Sequence, residues 1–156
     1  MNKIIAFMTC ISIGISMIKA PIPFEAISLE ERAEMVGLDV ESFILFSSVV
    51  EAESNRSQED NSGRVMIAVC IWNRINSERW PDSATGVLTQ SGQFSTVRRG
   101  QSVVNRTDLS DQAVIEAFEW VQEGTAPDVQ FFNCRGFFSG VEPYECVGGN
   151  YFSYGY

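Results

Sequence analysis

The 156-residue sequence contains no histidine. This absence excludes Ser-His-Asp and Cys-His hydrolases, zinc sites built on imidazole, and histidine general bases. If the chain is an enzyme, carboxylates must therefore carry its protons. Basic residues are also few, with 11 lysines and arginines against 20 acidic residues. Because a domain this acidic repels phosphate backbones, the composition argues against a nucleic-acid partner.

The first twenty residues have the layout of a secretory signal. Lys3 precedes an apolar stretch from Ile4 to Ile18, and the small residue Ala20 follows. The stretch is short for a membrane-spanning helix. We therefore predict export to the cell wall, the periplasm or the medium, with an uncleaved membrane anchor as the alternative. Removing residues 1–20 deletes two lysines and no acid, which lowers the net charge from −9 to −11.

Three cysteines lie beyond this segment. Cys70 sits in an apolar run and is predicted to be a buried free thiol. Cys134 and Cys146 lie in a region rich in glycine and aromatic residues, and in an exported protein we expect them to form a disulfide that closes a small loop. A metal site is the weaker alternative, because the sequence offers thiolates alone and no Cys-x-x-Cys pair. We therefore predict no metal and no cofactor.

Hydrophobic periodicity and capping signals predict a mainly α-helical domain with a small β element. Helices are expected over residues 28–36, 39–54, 64–75, 80–88 and 110–123, and short strands over 129–133 and 150–154. The helix over 64–75 is apolar on almost every face, which is typical of a central, buried helix. Asp82 or Ser83 is the predicted cap of the fourth helix, and Ser110 that of the last.

Two glutamates, Glu51 and Glu53, end the second helix. Residues three, four and seven apart share a helix face. Glu53 therefore lies with a phenylalanine and two valines, and Glu51 with an isoleucine and two serines. Because desolvation favours a neutral carboxyl, Glu53 is the better general-acid candidate and Glu51 the secondary one. The alternative is that both are solvated residues at a helix end.

Four motifs follow one another in a specific order: VVEAES, RVMIAVCIWNRI, SERWPDSATGVLTQSGQFS, and the pair QFFN and VGGNYFSY. In this order they resemble the cell wall hydrolase family that includes the spore-cortex-lytic enzymes. The resemblance covers about residues 44–156 and implies a lysozyme-like α+β fold. Together with the signal predicted over 1–20, it divides the chain into that signal, a lead-in and short helix over 21–40, and a catalytic domain over 41–156. The family's catalytic glutamate falls at Glu53, with an offset to Glu51 as the alternative.

The resemblance implies an activity on peptidoglycan, the cleavage of the β-1,4 bond between N-acetylmuramic acid and N-acetylglucosamine. Glu53 would give its proton to the leaving oxygen and then act as a base. No second acid obviously faces Glu53, so attack by the sugar's own 6-hydroxyl, as in a lytic transglycosylase, fits better than hydrolysis. The expected partner is the glycan strand, bound by a monomer.

Further candidate substrate contacts carry neutral polar groups or an aromatic ring: Gln93, Phe94, Ser95 and Asn133. A plain turn and a strand-end cap are the alternatives for them. Trp80 could stack on a sugar ring, but we interpret it as a packing residue. Asn73 and Arg74 are interpreted as tying the end of the central helix to a neighbouring element, with substrate contact as the alternative.

Two departures from the family pattern leave a non-catalytic interpretation open. Gln130 and Asn150 stand where the family often has histidine, and an amide reproduces the hydrogen bond of a neutral imidazole but not its proton transfer. We interpret both positions as structural. If the histidines were essential, the chain would instead be a glycan-binding or structural wall module. A secreted protein-binding factor, such as an inhibitor, is a third alternative that only the signal and the disulfide support.

Overall fold

The computed structural model describes residues 22–54, 60–94, 97 and 105–155. After a 3-10 turn at Phe24–Ala26, these residues form helices α1 (Leu29–Met35), α2 (Val40–Glu53), α3 (Ser62–Ile75), α4 (Ala84–Thr89) and α5 (Asp108–Gln122), and strands β1 (Val129–Asn133), β2 (Pro143–Val147) and β3 (Asn150–Tyr154). The predicted class, mainly helical with a small β element, is confirmed. The signal predicted over residues 1–20 lies outside the described residues. Within the described part of the chain, no helix is long and apolar enough to cross a membrane.

The first two helices begin at the predicted caps. The Ser28 hydroxyl accepts the Glu31 N–H and the Glu31 carboxylate accepts the Ser28 N–H, which completes a capping box. The Asp39 carboxylate accepts the Ser42 N–H at 2.8 Å and starts α2. These bonds satisfy N–H groups that have no partner inside the helix. Because each bond spans three residues, the local sequence was sufficient to predict them.

The last helix begins one turn earlier than predicted. Thr107, and not Ser110, is the N-cap of α5. The Thr107 hydroxyl accepts the Ser110 N–H at 3.2 Å, and the Ser110 hydroxyl accepts the Thr107 N–H at 2.8 Å. Ser110 therefore fills the third helical position of a capping box, where glutamate or glutamine is the usual residue. Of the two caps proposed for α4, Ser83 is the one observed.

Helix α3 is the centre of the core, as its all-round apolar pattern predicts. It packs against α2, α4, α5 and β1. Trp72 of α3 lies between Phe46 of α2 and Phe118 of α5, with ring centroids 5.0 Å away on each side. Its indole N–H donates to the Val114 carbonyl at 3.0 Å, which satisfies the one polar atom of a buried ring. This arrangement fixes the end of α2, and with it the two glutamates, against the central helix.

A three-stranded antiparallel sheet in the order β1-β3-β2 covers one side of the helices. Strands β1 and β3 have the predicted bounds, whereas β2 was not predicted. Four of the five β2 residues are exposed, so this edge strand lacks the apolar alternation that marks a strand in the sequence. The turn from β2 to β3 touches the start of α3, since a Cβ added to Gly63 would lie 2.9 Å from Gly148 Cα.

The predicted disulfide between Cys134 and Cys146 is wrong in this structure, where both residues are exposed free thiols. Cys134 follows the end of β1, and Cys146 lies in β2 beside Tyr151 of the central strand β3. Neighbouring strands are about 4.8 Å apart, so two positions separated by a strand are roughly 10 Å apart. A disulfide requires Cα atoms within about 7 Å. The strand between them therefore prevents the bond, while Cys70 is a buried free thiol as predicted.

Candidate active site

A cleft of about 730 Å³ lies between the end of α2, the turn after α4, and the sheet. Its described lining consists of Ala52, Glu53, Arg74, Trp80, Gly92, Gln93, Phe131, Phe132, Asn133, Cys134, Phe138, Ser139, Val141 and Asn150. The wall is largely aromatic and amide in character. Flat apolar rings and neutral amides are suited to sugars, which present both C–H faces and hydroxyl groups.

Glu53 is the last residue of α2 and brings a carboxylate to this cleft. It is partly buried. The Asn150 side-chain amide donates to the Glu53 carbonyl at 3.4 Å and so joins the start of β3 to the helix end. Among the described residues that line the cleft, Glu53 is the sole acid. The segments outside the described residues contain one further acid, Glu59.

Glu51 lies in the protein interior. The helix-face argument was wrong about this residue, because it made Glu53 the more desolvated of the two glutamates. Its side chain is 5 % exposed and pairs with Arg64, at 2.8 Å from Nε and 3.1 Å from Nη2. The Thr107 hydroxyl donates to the same carboxylate at 2.9 Å. Glu51 is thus the more buried of the two glutamates. The serine-rich face of α2 faces the protein interior, where Ser47 bonds to Asp111 of α5.

Arg74 lies beside three aromatic rings, of which Trp80 and Phe131 line the cleft and Phe94 does not. It is 4 % exposed, and its guanidinium carbon lies 4.2 Å from the centroid of Trp80, 5.5 Å from Phe94 and 6.0 Å from Phe131. Its Nε donates to the backbone carbonyl of Gln130 at 2.7 Å. Arg74 therefore ties α3 to β1, as the sequence predicts, and it also lines the cleft, as the alternative of substrate contact requires.

The two amides at the family's histidine positions make structural hydrogen bonds. Gln130 is buried, accepts the Trp80 indole N–H at 2.9 Å and donates to Asp128 at 3.3 Å. Asn150 is buried and donates to the carbonyl of Glu53. Each bond is one that a neutral side chain can make. This agrees with the interpretation of both positions as structural.

Of the remaining candidate substrate contacts, Gln93 and Asn133 line the cleft and Phe94 does not. Gln93 lines the cleft, and its side-chain oxygen accepts Arg74 Nη1 at 3.2 Å. Asn133 also lines the cleft, while its side-chain oxygen accepts the Arg135 N–H at 3.1 Å, so it acts as a strand-end cap as well. Phe94 is buried beside Phe132 and is not a lining residue.

Two further predictions remain, one for Ser95 and one for Asn73. Ser95 lies outside the described residues. The side-chain amide of Asn73 donates to the carbonyls of Pro127 and Val129, both at 2.9 Å, which is the predicted tie to a neighbouring element. Among the described residues, no group of three cysteine or acidic side chains could hold a metal ion.

One sequence signal could have drawn attention to Arg74. Helix α3 contains no acidic residue, so Arg74 has no partner for an ion pair within its own helix. A buried arginine in such a helix must find acceptors elsewhere. The positions of Phe138, Ser139 and Val141 carry no comparable signal, because an irregular segment brings them to the cleft.

Comparison with known sequences gives the family. The Cell Wall Hydrolase family matches residues 58–138, which is just over half of the chain. A spore cortex-lytic enzyme of Oceanobacillus iheyensis is 34% identical over 76 residues, 48% of this chain and 27% of that protein. A spore cortex-lytic enzyme of Bacillus subtilis is 36% identical over 59 residues, 38% of this chain and 19% of that protein. The chain thus matches about a quarter of the length of these relatives.

Comparison with solved structures gives the fold. The catalytic domain of the germination-specific lytic transglycosylase SleB from Bacillus anthracis aligns with a TM-score of 0.62 at 21% identity, over 75% of this chain and 97% of that domain. The catalytic domain of Bacillus cereus SleB aligns with a TM-score of 0.62 at 22% identity, over 75% of this chain and 92% of that domain. The family match begins at residue 58, after both glutamates, so it does not itself assign a role to either one. The predicted family is confirmed, and the chain belongs to the Cell Wall Hydrolase family.

Proposed function

We propose that this protein is a lytic transglycosylase that cleaves the β-1,4 bond between N-acetylmuramic acid and N-acetylglucosamine in peptidoglycan, with Glu53 as its acid and base. The observation that carries the proposal is the position of Glu53 as the one acid among the described residues of an aromatic, amide-lined cleft. The buried ion pair between Glu51 and Arg64 supports Glu53 over Glu51 for this role.

The names of the relatives support the same reaction class. The sequence relatives are described as spore cortex-lytic enzymes, and the B. anthracis structure as a germination-specific lytic transglycosylase. A hydrolase normally requires a second carboxylate, to act as nucleophile or to activate water. A transglycosylase does not require one, because the attacking oxygen belongs to the substrate. A cleft with one described acid therefore favours transglycosylation.

The proposed reaction needs two proton transfers, one from Glu53 and one back to it. Protonated Glu53 donates its proton to the glycosidic oxygen while the bond from that oxygen to C1 of the muramic residue breaks, and the electron pair leaves with N-acetylglucosamine. The oxygen of the muramic 6-hydroxyl then bonds to C1, and the Glu53 carboxylate takes the hydroxyl proton. The product carries a 1,6-anhydro ring, no water is consumed, and Glu53 returns protonated.

The test is a digest of purified peptidoglycan by residues 21–156, with the products identified by mass spectrometry. We expect anhydro-muramic ends from the unmutated domain and a loss of at least about a hundredfold in rate for Glu53→Gln, the range for removal of a general acid. The matched control is Glu119→Gln, an exposed glutamate on α5 that is not a lining residue. Circular dichroism spectra establish that all three proteins are folded.

Three other outcomes would contradict the proposal in different ways. Reducing ends, one water heavier than the anhydro product, would identify a hydrolase with a second carboxylate. Full activity of Glu53→Gln would exclude this residue as the acid. Glycan binding with no cleavage by the unmutated domain would support the alternative function, a wall-binding module.

We also propose that residues 1–20 direct export of the domain, because a peptidoglycan substrate lies outside the cytoplasmic membrane. Their charged start, apolar centre and small residue at position 20 support this. Sequencing the amino terminus of the protein recovered from culture medium and from membranes separates cleavage from anchoring. Recovery of the intact chain in the cytosol would overturn the proposal.

A further inference from the structure

Arg74 differs from the other buried arginines in what balances its charge. The described residues contain three buried arginines: Arg32, Arg64 and Arg74. Arg32 contacts two aspartates at 2.7 Å, and Arg64 contacts Glu51 at 2.8 Å. For Arg74, the hydrogen-bond acceptors among the described residues are a backbone carbonyl and a glutamine amide oxygen, both neutral.

A buried cation without a carboxylate is costly, so its retention calls for compensation. The faces of Trp80 and Phe94 supply part of it, since aromatic rings attract cations. The nearby Cys70 does not supply a negative charge, because burial raises the pKa of its thiol to about 11, an effect that Arg74 only partly opposes. Among the described residues, no carboxylate forms an ion pair with Arg74.

The Arg74 guanidinium has more N–H donors than the described acceptors beside it, so N–H groups remain for a ligand. Nε and Nη1 donate to described acceptors, and Arg74 is one of the residues that line the cleft. The Cys70 thiol also interacts with the guanidinium, but a thiol is a weak acceptor. A planar fork with a remaining N–H edge is suited to a carboxylate.

We propose that Arg74 is a specificity-determining residue that binds a carboxylate of the substrate in the cleft. This inference rests on the proposed function, which makes the substrate a peptidoglycan strand. Two parts of that polymer carry carboxylates: the lactyl group of a muramic residue without a peptide, and the stem peptide of a substituted one. A positive charge in the cleft is notable in a chain with a formal net charge of −9, whose overall field repels such groups.

The test measures binding, with Glu53→Gln as the background so that no ligand is cleaved. The first ligand pair is a peptide-free glycan oligosaccharide with its lactyl groups as free carboxylates or as primary amides. The second pair is the same glycan with stem peptides whose carboxylates are free or amidated. Each pair differs in charge at one part of the ligand, so the pair that shows a preference identifies the source of the carboxylate.

We expect the acid of at least one pair to bind about tenfold or more tightly than its amide, as removal of a hydrogen bond to a charged group predicts. Arg74→Gln should reduce this ratio to about one. The matched control is Arg135→Gln, which removes the same charge from an exposed arginine that is not a lining residue. It should leave the ratio unchanged.

Equal binding of acid and amide in both pairs would overturn the inference, as would a preference that persists in Arg74→Gln. If Arg74→Gln does not fold, equal binding of acid and amide by the Glu53→Gln background protein would still overturn the inference. The ratio is independent of catalysis. Cleavage without a carboxylate preference would refute the inference alone, whereas a preference without cleavage by the unmutated domain would refute the proposed function alone.

Discussion

Removing the Glu51 carboxylate should lower the stability of the folded protein. It should leave the proposed catalytic group, Glu53, in place. Both Nε and Nη2 of Arg64 donate to this carboxylate, at 2.8 and 3.1 Å, and the Thr107 hydroxyl adds a third bond. The Glu51 and Arg64 side chains are 5% and 6% exposed. The substitution Glu51→Gln would leave the Arg64 charge buried with no carboxylate of its own.

The expected cost follows from that burial. Breaking a buried ion pair by removing one partner costs about 3–5 kcal/mol, because the other charge remains desolvated. For a domain of this size, each kcal/mol lowers the melting temperature by roughly 4 °C. We therefore expect Glu51→Gln to melt roughly 12–20 °C below the unmutated domain. Glu53→Gln should remain within about 1 kcal/mol of the unmutated domain, because its side chain is only partly buried.

The assay is urea denaturation followed by circular dichroism, with the midpoint and slope fitted separately for each variant. A double substitution, Glu51→Leu with Arg64→Met, removes both charges and should recover much of the lost stability. Such recovery would establish that the cost of Glu51→Gln comes from the unpaired Arg64.

A loss of less than about 1 kcal/mol for Glu51→Gln would refute this reasoning, since that is the range of an exposed ion pair. So would a double variant that is as unstable as the single one, because the cost would then come from the packing of α2 and not from charge. Loss of cleavage in a Glu51→Gln protein that remains fully folded would contradict the separation of structural and chemical roles between the two glutamates.

Three further predictions concern other parts of the fold. A thiol reagent should modify Cys134 and Cys146 in the folded protein and Cys70 only after unfolding, whereas one thiol or none before unfolding would contradict the free-thiol arrangement. The Ser42 hydroxyl, as the larger effect, and the Ser42 N–H both donate hydrogen bonds to Asp39 and lower its pKa from the ordinary 3.8. This stabilising contribution is complete above the unfolded-state pKa and is lost as the pH falls through the lower folded-state value, so Asp39→Asn should flatten the pH dependence of unfolding below about pH 4. Gly63→Ala should cost about 1–3 kcal/mol in urea denaturation, because its Cβ would meet turn backbone at 2.9 Å, and an unchanged midpoint would mean that the turn yields.

Several features could be predicted from the sequence because their causes are local. The caps at Ser28 and Asp39 depend on groups three residues apart. The central helix is marked by an unbroken apolar run, and β1 and β3 by dense aromatic residues. The order of the family motifs was also sufficient to predict the family and its fold.

The wrong predictions for Glu51 and for the two cysteines have a common physical origin. The sequence does not show which element of the fold covers or separates a given residue. The serine face of α2 was interpreted as the more polar environment, but α5 covers it with polar groups of its own, so Glu51 is buried. The spacing of Cys134 and Cys146 is compatible with a small closed loop. Their separation follows from the strand order, in which β3 passes between them.

The sequence alone determined the helices, strands β1 and β3, the family and the absence of histidine chemistry, because capping bonds, periodicity and composition act along the chain. Only the tertiary structure decided that Glu51 pairs with Arg64, that Glu53 faces the cleft, and that Arg74 reaches it without a carboxylate partner among the described residues. These three outcomes depend on contacts between elements that are distant in sequence, such as the bond from Thr107 to Glu51. Desolvation and charge pairing arise from those contacts, and they give two similar glutamates different environments.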